Sequence, residues 1–444
     1  MFLRPLLSFA NSSFFWVYFL PMIPKEVSKY LLSRAIKGPW KICGANQGTF
    51  AGAVVIPALA ESANLFATLR SLAKNPPELV SRFLVLVVVN NREDSPQSDK
   101  ADNRKTLDLL AEGDPSIAAL RLVWVDAASP GCELPQKKGG VGLARKIGFD
   151  LALPQLDFSG PPPILVGLDA DTLVQPDYLS ALISHFRTTS AGGAVLAFRH
   201  QEGNSAEERK AICCYELFLR VYVLGLSRAG SPYAFHTIGS AMACTATAYA
   251  GMGGMNTRMA AEDFYFLQHL KKTYGIAFVA GTLVQPSARA SHRVPFGTGR
   301  SISRLLAGEE RAVLFYRPEC FAILGGWLDL VANHLDSCGH DILRQAERTS
   351  SELEKYLNQA GFVAAWEKLR KNSRDPAALL SAFHSWFDGL RTLKLIHHLS
   401  DTIFLRKPAE EALQPMLEWA GLEQADDPDT QLSQLRALQA SGSS

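Results

Sequence analysis

The sequence predicts an α/β protein: an open, mainly parallel sheet covered by helices on both faces, with a largely helical C-terminal region. Two observations support this prediction. Short, nearly continuous apolar runs alternate with helical stretches between residues 50 and 171, as strands that are buried on both faces do. Residues 301–425 instead carry long helical patterns with few strand-like runs.

Four apolar runs are the predicted strands of the sheet. They are Ala53–Ile56, 81–91 (SRFLVLVVVNN), 117–127 (IAALRLVWVDA) and 161–171 (PPPILVGLDAD). In open sheets of this kind, ligands bind beyond the carboxyl ends of the strands. Polar residues cluster after three of these strands, at Pro57–Glu61, Asn90–Asp94 and Asp169–Asp171, and this predicts a binding site at that edge.

The 444 residues divide into four predicted segments. An apolar, helical extension covers 1–48, the sheet domain 49–300, the helical region 301–425 and a flexible tail 426–444. The apolar fraction of 47% is ordinary for a globular protein, and the formal net charge of +2 gives no global basic field. We therefore expect no nucleic-acid partner.

Residues 5–24 form an uncharged, aromatic-rich segment of about the length of a membrane span. Prolines, serines and an asparagine dilute the segment, so packing on the globular body and peripheral membrane contact both stay open. The seven cysteines include no Cys-x-x-Cys pair, which favours reduced thiols. A cytoplasmic location is expected, with association at the inner membrane face as the alternative.

Asp169 and Asp171 end the fourth apolar run. Residues two apart on a strand point to the same face, and close carboxylates repel unless a cation lies between them. Oxygen ligands of this kind suit Mg²⁺ or Mn²⁺, so the pair predicts a divalent metal. The alternative is a surface turn, for which Asp-Ala-Asp-Thr is ordinary chemistry.

Glu262 and Asp263 open a predicted helix after the glycine-rich turn 249–258 (YAGMGGMNTR). One of these carboxylates could act as a general base that accepts a proton from an incoming hydroxyl. Acidic residues in a first turn also complement the helix dipole, and that structural role is the alternative.

Basic residues that could meet a phosphate occur in two stretches. In SHRVPFGTGRSISR (291–304), His292 could complete a metal's coordination, and Arg293 and Arg300 could clamp a diphosphate. A basic surface loop is the alternative. In GGVGLARKIGFDLAL (139–153), a helix could present Arg145 to a phosphate.

Taken in order, five segments resemble the family 2 glycosyltransferases, which have the GT-A fold. They are VVIPALAES (54–62), VLVVVNNREDS (85–95), GLARKIGFDLAL (142–153), LDADTLVQPDYL (168–179), similar to the family's DxD motif, and AEDFYFLQHLKKTYG (261–275), similar to its ED motif. The resemblance covers residues 50 to about 300. It implies a GT-A-like sheet, a nucleotide-diphosphate sugar donor and a divalent metal, Mn²⁺ or Mg²⁺.

The resemblance also implies roles for individual residues. Asp171 would be the main metal ligand, Asp169 would contact the ribose or sugar of the donor, and Asp263 would deprotonate the acceptor. The expected metal ligands are Asp171, Asp169 and His292, and Glu262 accompanies Asp263 as a catalytic residue. The residues expected to bind the donor are Pro57, Glu61, Asn90, Arg145, Asp169, Arg293 and Arg300.

The sequence departs from the family at Asn90 and Asn91, where an acidic pair commonly reads a uracil ring. The nucleotide base therefore stays open. A Gln-x-x-Arg-Trp signature is absent, which favours non-processive transfer. The resemblance implies inversion at the anomeric carbon, and the acceptor stays unknown, whether glycan, lipid or small molecule. The alternatives are a catalytically silent nucleotide- or glycan-binding scaffold and a sugar-phosphate nucleotidyltransferase.

Overall fold

The computed structural model describes residues 23–45, 48–290, 298–309 and 312–440. Residues 5–22 of the apolar N-terminal segment, and the predicted site residues His292 and Arg293, lie outside these ranges. Among the helices of the described ranges, none combines the length and the apolar composition that crossing a bilayer requires.

The described residues contain one nine-stranded sheet with the order β1-β4-β3-β2-β5-β8-β7-β9-β6. The strands are β1 Ile42–Cys43, β2 Gly52–Ala58, β3 Phe83–Asn90, β4 Arg121–Ala127, β5 Ile164–Gly167, β6 Leu173–Val174, β7 Gly193–Phe198, β8 Met242–Thr245 and β9 Ile276–Gln285. Six of them run in one direction, because β4, β3, β2 and β5 pair in parallel, β7 and β9 pair in parallel, and β8 lies antiparallel between β5 and β7. The predicted open, mainly parallel sheet is confirmed.

Helices cover the sheet and continue beyond it. Those of the N-terminal and sheet regions are α1 Lys25–Ser33, α2 Leu65–Ala73, α3 Pro77–Val80, α4 Gln97–Glu112, α5 Val141–Ala152, α6 Tyr178–Thr188, α7 Ala206–Arg228, α8 Ala246–Met252, α9 Glu262–Thr273 and α10 Thr298–Leu306. Those of the C-terminal region are α11 Pro318–Asn333, α12 Gly339–Thr349, α13 Ser351–Gln359, α14 Phe362–Asn372, α15 Pro376–Trp386, α16 Gly389–Thr402, α17 Ala409–Trp419 and α18 Pro428–Ala440. The predicted helical C-terminal region is also confirmed.

Two apolar layers hold the sheet domain together, one on each face of the sheet. Alternate residues of β2 and β3 enter different layers, because side chains along a strand point to opposite faces. Val55 and Leu86 pack on one face with helices α5, α8 and α9, whereas Val54 and Val87 pack on the other face with α2 and α6. The continuous apolar runs in the sequence are thus explained by burial on both faces.

A third apolar core joins the sheet domain to the C-terminal helices. Long helix α7 contributes Leu217, Val221 and Leu224 to it, and the C-terminal helices surround Trp327 and Trp366, both fully buried. Cys213 is also buried in this core as a free thiol.

The structure differs from the flexible tail that the sequence analysis expects from residue 426. Residues 428–440 form helix α18, which buries Leu432 and Leu435 in the third core. A polar residue also holds α18 in place, because Arg436 forms an ion pair with the buried Glu216 of α7 (2.7 Å). A polar, small-residue composition suggested fraying, but two leucines at helical spacing and one arginine suffice to anchor the segment.

Candidate active site

The candidate site lies at the carboxyl edge of the sheet. Strands β2, β3 and β5 are parallel neighbours, so the residues that follow them emerge at the same edge. Glu61 follows β2, Asn90 ends β3, and the Asp169–Asp171 segment follows β5. The structure thus brings together the three polar clusters that the sequence analysis singled out.

Asp169 and Asp171 lie in a turn, not on a strand. Strand β5 ends at Gly167, so the expectation that the pleat of a strand places both acids on one face was wrong. Side chains from elsewhere fix this turn: the Thr68 hydroxyl donates to the backbone carbonyl between the two acids (2.9 Å), and the Gln201 amide donates to that of Asp171 (2.8 Å). The two carboxylates meet different arginines.

Arg145 forms the centre of the first charged cluster. Its guanidinium bonds Asp169 with one terminal nitrogen and Glu262 with the other. The Arg145 and Glu262 side chains are 3% and 4% exposed, whereas Asp169 is 37% exposed. Arg145 therefore does not reach into open space to meet a phosphate, as the sequence analysis expected. It lies inside the protein, where it ties the turn after β5 to the first turn of α9.

Two glycines make room for this cluster. A Cβ at Gly239 would lie 2.3 Å from a terminal nitrogen of Arg145, and a Cβ at Gly142 would lie 2.5 Å from the backbone oxygen of Arg258. The absence of a side chain at these positions lets α5 and the neighbouring backbone close around the guanidinium. The Arg145 Nε atom is buried with no hydrogen-bond partner among the described residues.

Asp263 lies beside this cluster and has the chemistry of a general base. Its pKa is raised to about 7, mainly by burial and then by the negative charge of Glu262, while Arg145 opposes the shift. Burial also raises the pKa of Glu262. A carboxylate whose pKa lies near neutrality can accept a proton and still be ionised in a useful fraction of molecules. The environment therefore distinguishes Asp263, as the available base, from Glu262, which is bound to Arg145.

Arg289 forms the centre of a second charged cluster, which the sequence analysis missed. Its Nη2 lies 2.8 Å from Asp171 Oδ2 and also contacts Glu61, and its Nε lies 3.0 Å from the same Asp171 oxygen. A signal was available, since Arg289 follows the apolar run that forms β9. That strand is parallel to β7 and so ends at the same edge of the sheet.

The two asparagines after β3 have different surroundings. The Asn91 side chain is used inside the protein: its amide donates to the carbonyls of Arg92 and Ala128, and its oxygen accepts from Asn103. Asn90 is also buried, but its Oδ1 has no hydrogen-bond partner among the described residues. The two asparagines thus differ in that only Asn91 has its side-chain oxygen bonded within the described residues.

For two other predicted site residues, Pro57 and Arg300, the structure gives a position outside both charged clusters. Pro57 lies within β2, opposite Val88 of β3, and Arg300 is exposed on α10. In the described part of the chain, no group of three or more His, Cys, Asp and Glu side chains is arranged to hold a metal ion.

No family model matches the chain, and no curated protein matches it. Solved structures similar to it include S. aureus TarS 1-349 in complex with UDP-GlcNAc, with 13% identity, coverage of 77% of this chain and 91% of that chain, and a TM-score of 0.38. The mannosyltransferase PcManGT from Pyrobaculum calidifontis, in complex with GDP-Man and Mn²⁺, has 15% identity, coverage of 93% and 92%, and a TM-score of 0.37. Glucosyl-3-phosphoglycerate synthase from Mycobacterium tuberculosis, in complex with UDP, has 16% identity, coverage of 64% and 82%, and a TM-score of 0.32. Similarity at this level does not by itself assign a function.

Proposed function

We propose that this protein is a glycosyltransferase, resembling family 2, that transfers one sugar from a nucleotide-diphosphate sugar to an acceptor hydroxyl. The observation that carries the proposal is Asp263, a carboxylate with a pKa raised to about 7. It lies beside the Arg145 cluster, which reaches the carboxyl edge of the sheet through Asp169. A base and a nucleotide-binding edge next to each other are what such a transfer requires.

In the proposed reaction, Asp263 accepts the proton of the acceptor hydroxyl as its oxygen attacks the anomeric carbon. The bond from that carbon to the diphosphate oxygen breaks, and the diphosphate leaves with the electron pair. Attack from the face opposite the leaving group inverts the anomeric configuration. Asp169, the more exposed partner of Arg145, contacts the donor, while Arg145 and Glu262 hold the turn and the base in position.

A divalent ion fits the second cluster. Oxygens of Glu61 and Asp171 converge on one nitrogen of Arg289, so the protein already holds positive charge between two carboxylates at this place. Asp171 and Glu61, with phosphates of the donor, would hold Mg²⁺ or Mn²⁺ there, and the ion would neutralise charge on the leaving diphosphate. Asp169 is a weaker candidate ligand because its partner Arg145 is buried, with a side chain 3% exposed, whereas the Arg289 side chain is 30% exposed.

A thermal-shift panel tests the proposal. UDP, GDP, CDP, ADP and dTDP are each added with and without Mn²⁺, to the wild-type protein and to Asp171→Asn. A ligand at about a hundred times its Kd stabilises the protein by roughly 2.7 kcal/mol, which is measurable as a higher Tm. We expect one nucleotide to produce a shift that is lost in Asp171→Asn. Asp401→Asn, an exposed carboxylate on α16, is the matched control.

Turnover is then measured with sugar donors of the nucleotide so identified. We expect Asp263→Asn to bind the nucleotide normally and to lose transfer by several orders of magnitude. Nucleotide binding without turnover in the wild-type protein would instead favour the catalytically silent scaffold. Release of pyrophosphate from a nucleoside triphosphate and a sugar phosphate would favour the nucleotidyltransferase.

A further inference from the structure

A cavity of about 220 Å³ lies between the sheet domain and the C-terminal helices. Helix α7 and the 233–237 segment form one side, α9 contributes Phe264 and Gln268, and α16 closes it from the C-terminal region. Its lining residues are Phe218, Leu219, Tyr222, Leu226, Tyr233, Phe235, Thr237, Phe264, Gln268, Tyr316, Gly389, Thr392 and Leu393. Six of these thirteen are aromatic, and none of them is charged.

The cavity begins next to the proposed base. Phe264 follows Asp263 in the first turn of α9, and its backbone N–H donates to the Asp263 carboxylate (2.7 Å). On α7, Tyr215 lies one turn before Phe218 and Leu219. Burial is the main cause of the raised pKa of Tyr215, and the negative charge of Asp263 adds to it. The first turn of α9, which carries Asp263, therefore also contributes Phe264 to the wall of the cavity.

Three of the polar side chains that line the cavity already have hydrogen-bond partners within the protein. Gln268 Oε1 accepts from the backbone N–H of Leu390 (2.7 Å), the Tyr233 hydroxyl donates to the carbonyl of His384 (2.8 Å), and the Tyr316 hydroxyl is bonded to His397 (2.8 Å). A polyol would gain few hydrogen bonds from these three groups in place of its water contacts. An apolar group would lose nothing and would contact aromatic rings.

The wall from the C-terminal region is fixed to the helix that carries the base. Besides the Gln268 contact, Lys272 of α9 forms an ion pair with Asp388, whose side chain also caps the first turn of α16. The cavity is therefore not a loose gap between two bodies.

From this arrangement we propose that the cavity binds the apolar part of the acceptor, so that the substrate is an alcohol whose hydroxyl is carried on an apolar group of about one ring. The size agrees with this chemistry, because an apolar cavity of roughly 150 Å³ accepts benzene. The inference rests on the proposed function for the role of Asp263, but binding in the cavity does not depend on it.

The first experiment measures binding alone. Ligand-observed NMR is used to titrate the protein with benzyl alcohol, with cyclohexylmethanol and with myo-inositol, a polar ring. Leu393→Trp fills the cavity, and Leu405→Trp, at a leucine that is 62% exposed in the same region, is the matched control. We expect both apolar alcohols to bind wild type and Leu405→Trp, Leu393→Trp to weaken them at least fivefold, and myo-inositol not to bind. Equal binding to Leu393→Trp, or competition by myo-inositol, would overturn the proposal.

A second variant guards against a folding defect. Leu393→Ala enlarges the cavity and should admit naphthylmethanol, a larger ring system that the wild-type protein binds at least fivefold more weakly. If Leu393→Trp fails to fold, tighter binding of naphthylmethanol by Leu393→Ala than by wild type supports the proposal. Equal binding by the two proteins would overturn it. Nucleotide release from the sugar donor, measured with benzyl alcohol present, then tests the link to transfer. Binding in the cavity with no nucleotide binding anywhere would refute the proposed transferase function and leave the cavity as a ligand site.

Discussion

The buried position of Asp263 predicts how transfer depends on pH. Burial and the charge of Glu262 raise the Asp263 pKa from 3.8 to about 7. A base with that pKa is ionised in about a tenth of molecules at pH 6 and about nine-tenths at pH 8. We therefore expect kcat/KM for transfer to rise about tenfold between these pH values, whereas an ordinary aspartate would give a flat profile.

The variant Glu262→Gln tests the cause of the shift. It removes one like charge next to Asp263, and it leaves the positive charge of Arg145 to act on Asp263 instead of on Glu262. Both changes lower the Asp263 pKa, so the rising limb should move to lower pH by on the order of one unit. Glu423→Gln, an exposed glutamate before α18, should leave the limb where it is.

Two assays separate the base from the acceptor. Slow hydrolysis of the sugar donor by water requires no acceptor and should follow the same profile. NMR titration of ¹³C-labelled carboxyl groups, wild type minus Asp263→Asn, gives the pKa of Asp263 without any substrate. A profile that is flat from pH 6 to pH 8, or a limb that moves to higher pH in Glu262→Gln, would refute the reasoning.

Three further predictions concern the charged clusters. Arg289→Ala leaves Glu61 and Asp171 without their shared counter-charge. Mn²⁺ should therefore bind the nucleotide-free variant at least tenfold more tightly than wild type, as measured by calorimetry. Unchanged affinity would argue against a cation site there. Gly239→Ala places a methyl group against Arg145 and should lower the free energy of unfolding in urea by about 1–3 kcal/mol; no loss would show that the guanidinium can move. Glu216→Gln should cost about 3–5 kcal/mol at pH 7, because the buried Glu216 neutralises arginines of α7 and α18.

The Glu216 prediction has a pH dependence whose sign can be checked. Charged and hydrogen-bonded partners hold the Glu216 pKa far below its usual range despite burial. A lowered pKa in the folded state stabilises above the unfolded-state pKa, near 4.3, and this contribution is lost as pH falls below that value. The difference in unfolding free energy between wild type and Glu216→Gln should therefore shrink as pH falls below about 4. A constant difference would contradict this account.

The sequence predicted the parts of the fold that have a local signal. Continuous apolar runs identify β2 to β5, because burial on both faces leaves no polar alternation. The short antiparallel strand β8 was not predicted, and its pairing with β5 and β7 depends on residues far away in the chain. Helix α18 was missed for a related reason, since its composition is polar and its two buried leucines matter only because α7 offers them a surface.

The residues of the candidate site also divide into those with a local sequence signal and those that depend on residues far away in the chain. Segments that resemble a known motif led to the prediction of Glu61, Asp169, Asp171 and Asp263 as site residues. Arg289 was missed although it follows the apolar run of β9, because its partners, Asp171 and Glu61, lie 118 and 228 residues away in the sequence. Arg145 was predicted as a phosphate contact, but only the packing around it reveals that it is a buried counter-ion.

Helix α9 links the proposed chemistry to the C-terminal helices. Its first turn carries Asp263, and its later turns carry Gln268 and Lys272, both of which bond the start of α16. A displacement of α16 would therefore act on the same helix that positions the base. The C-terminal region thus has two physical consequences at the site: it supplies one wall of the cavity, and it restrains the helix of the proposed base. Changes at the start of α16 should accordingly alter the proposed transfer.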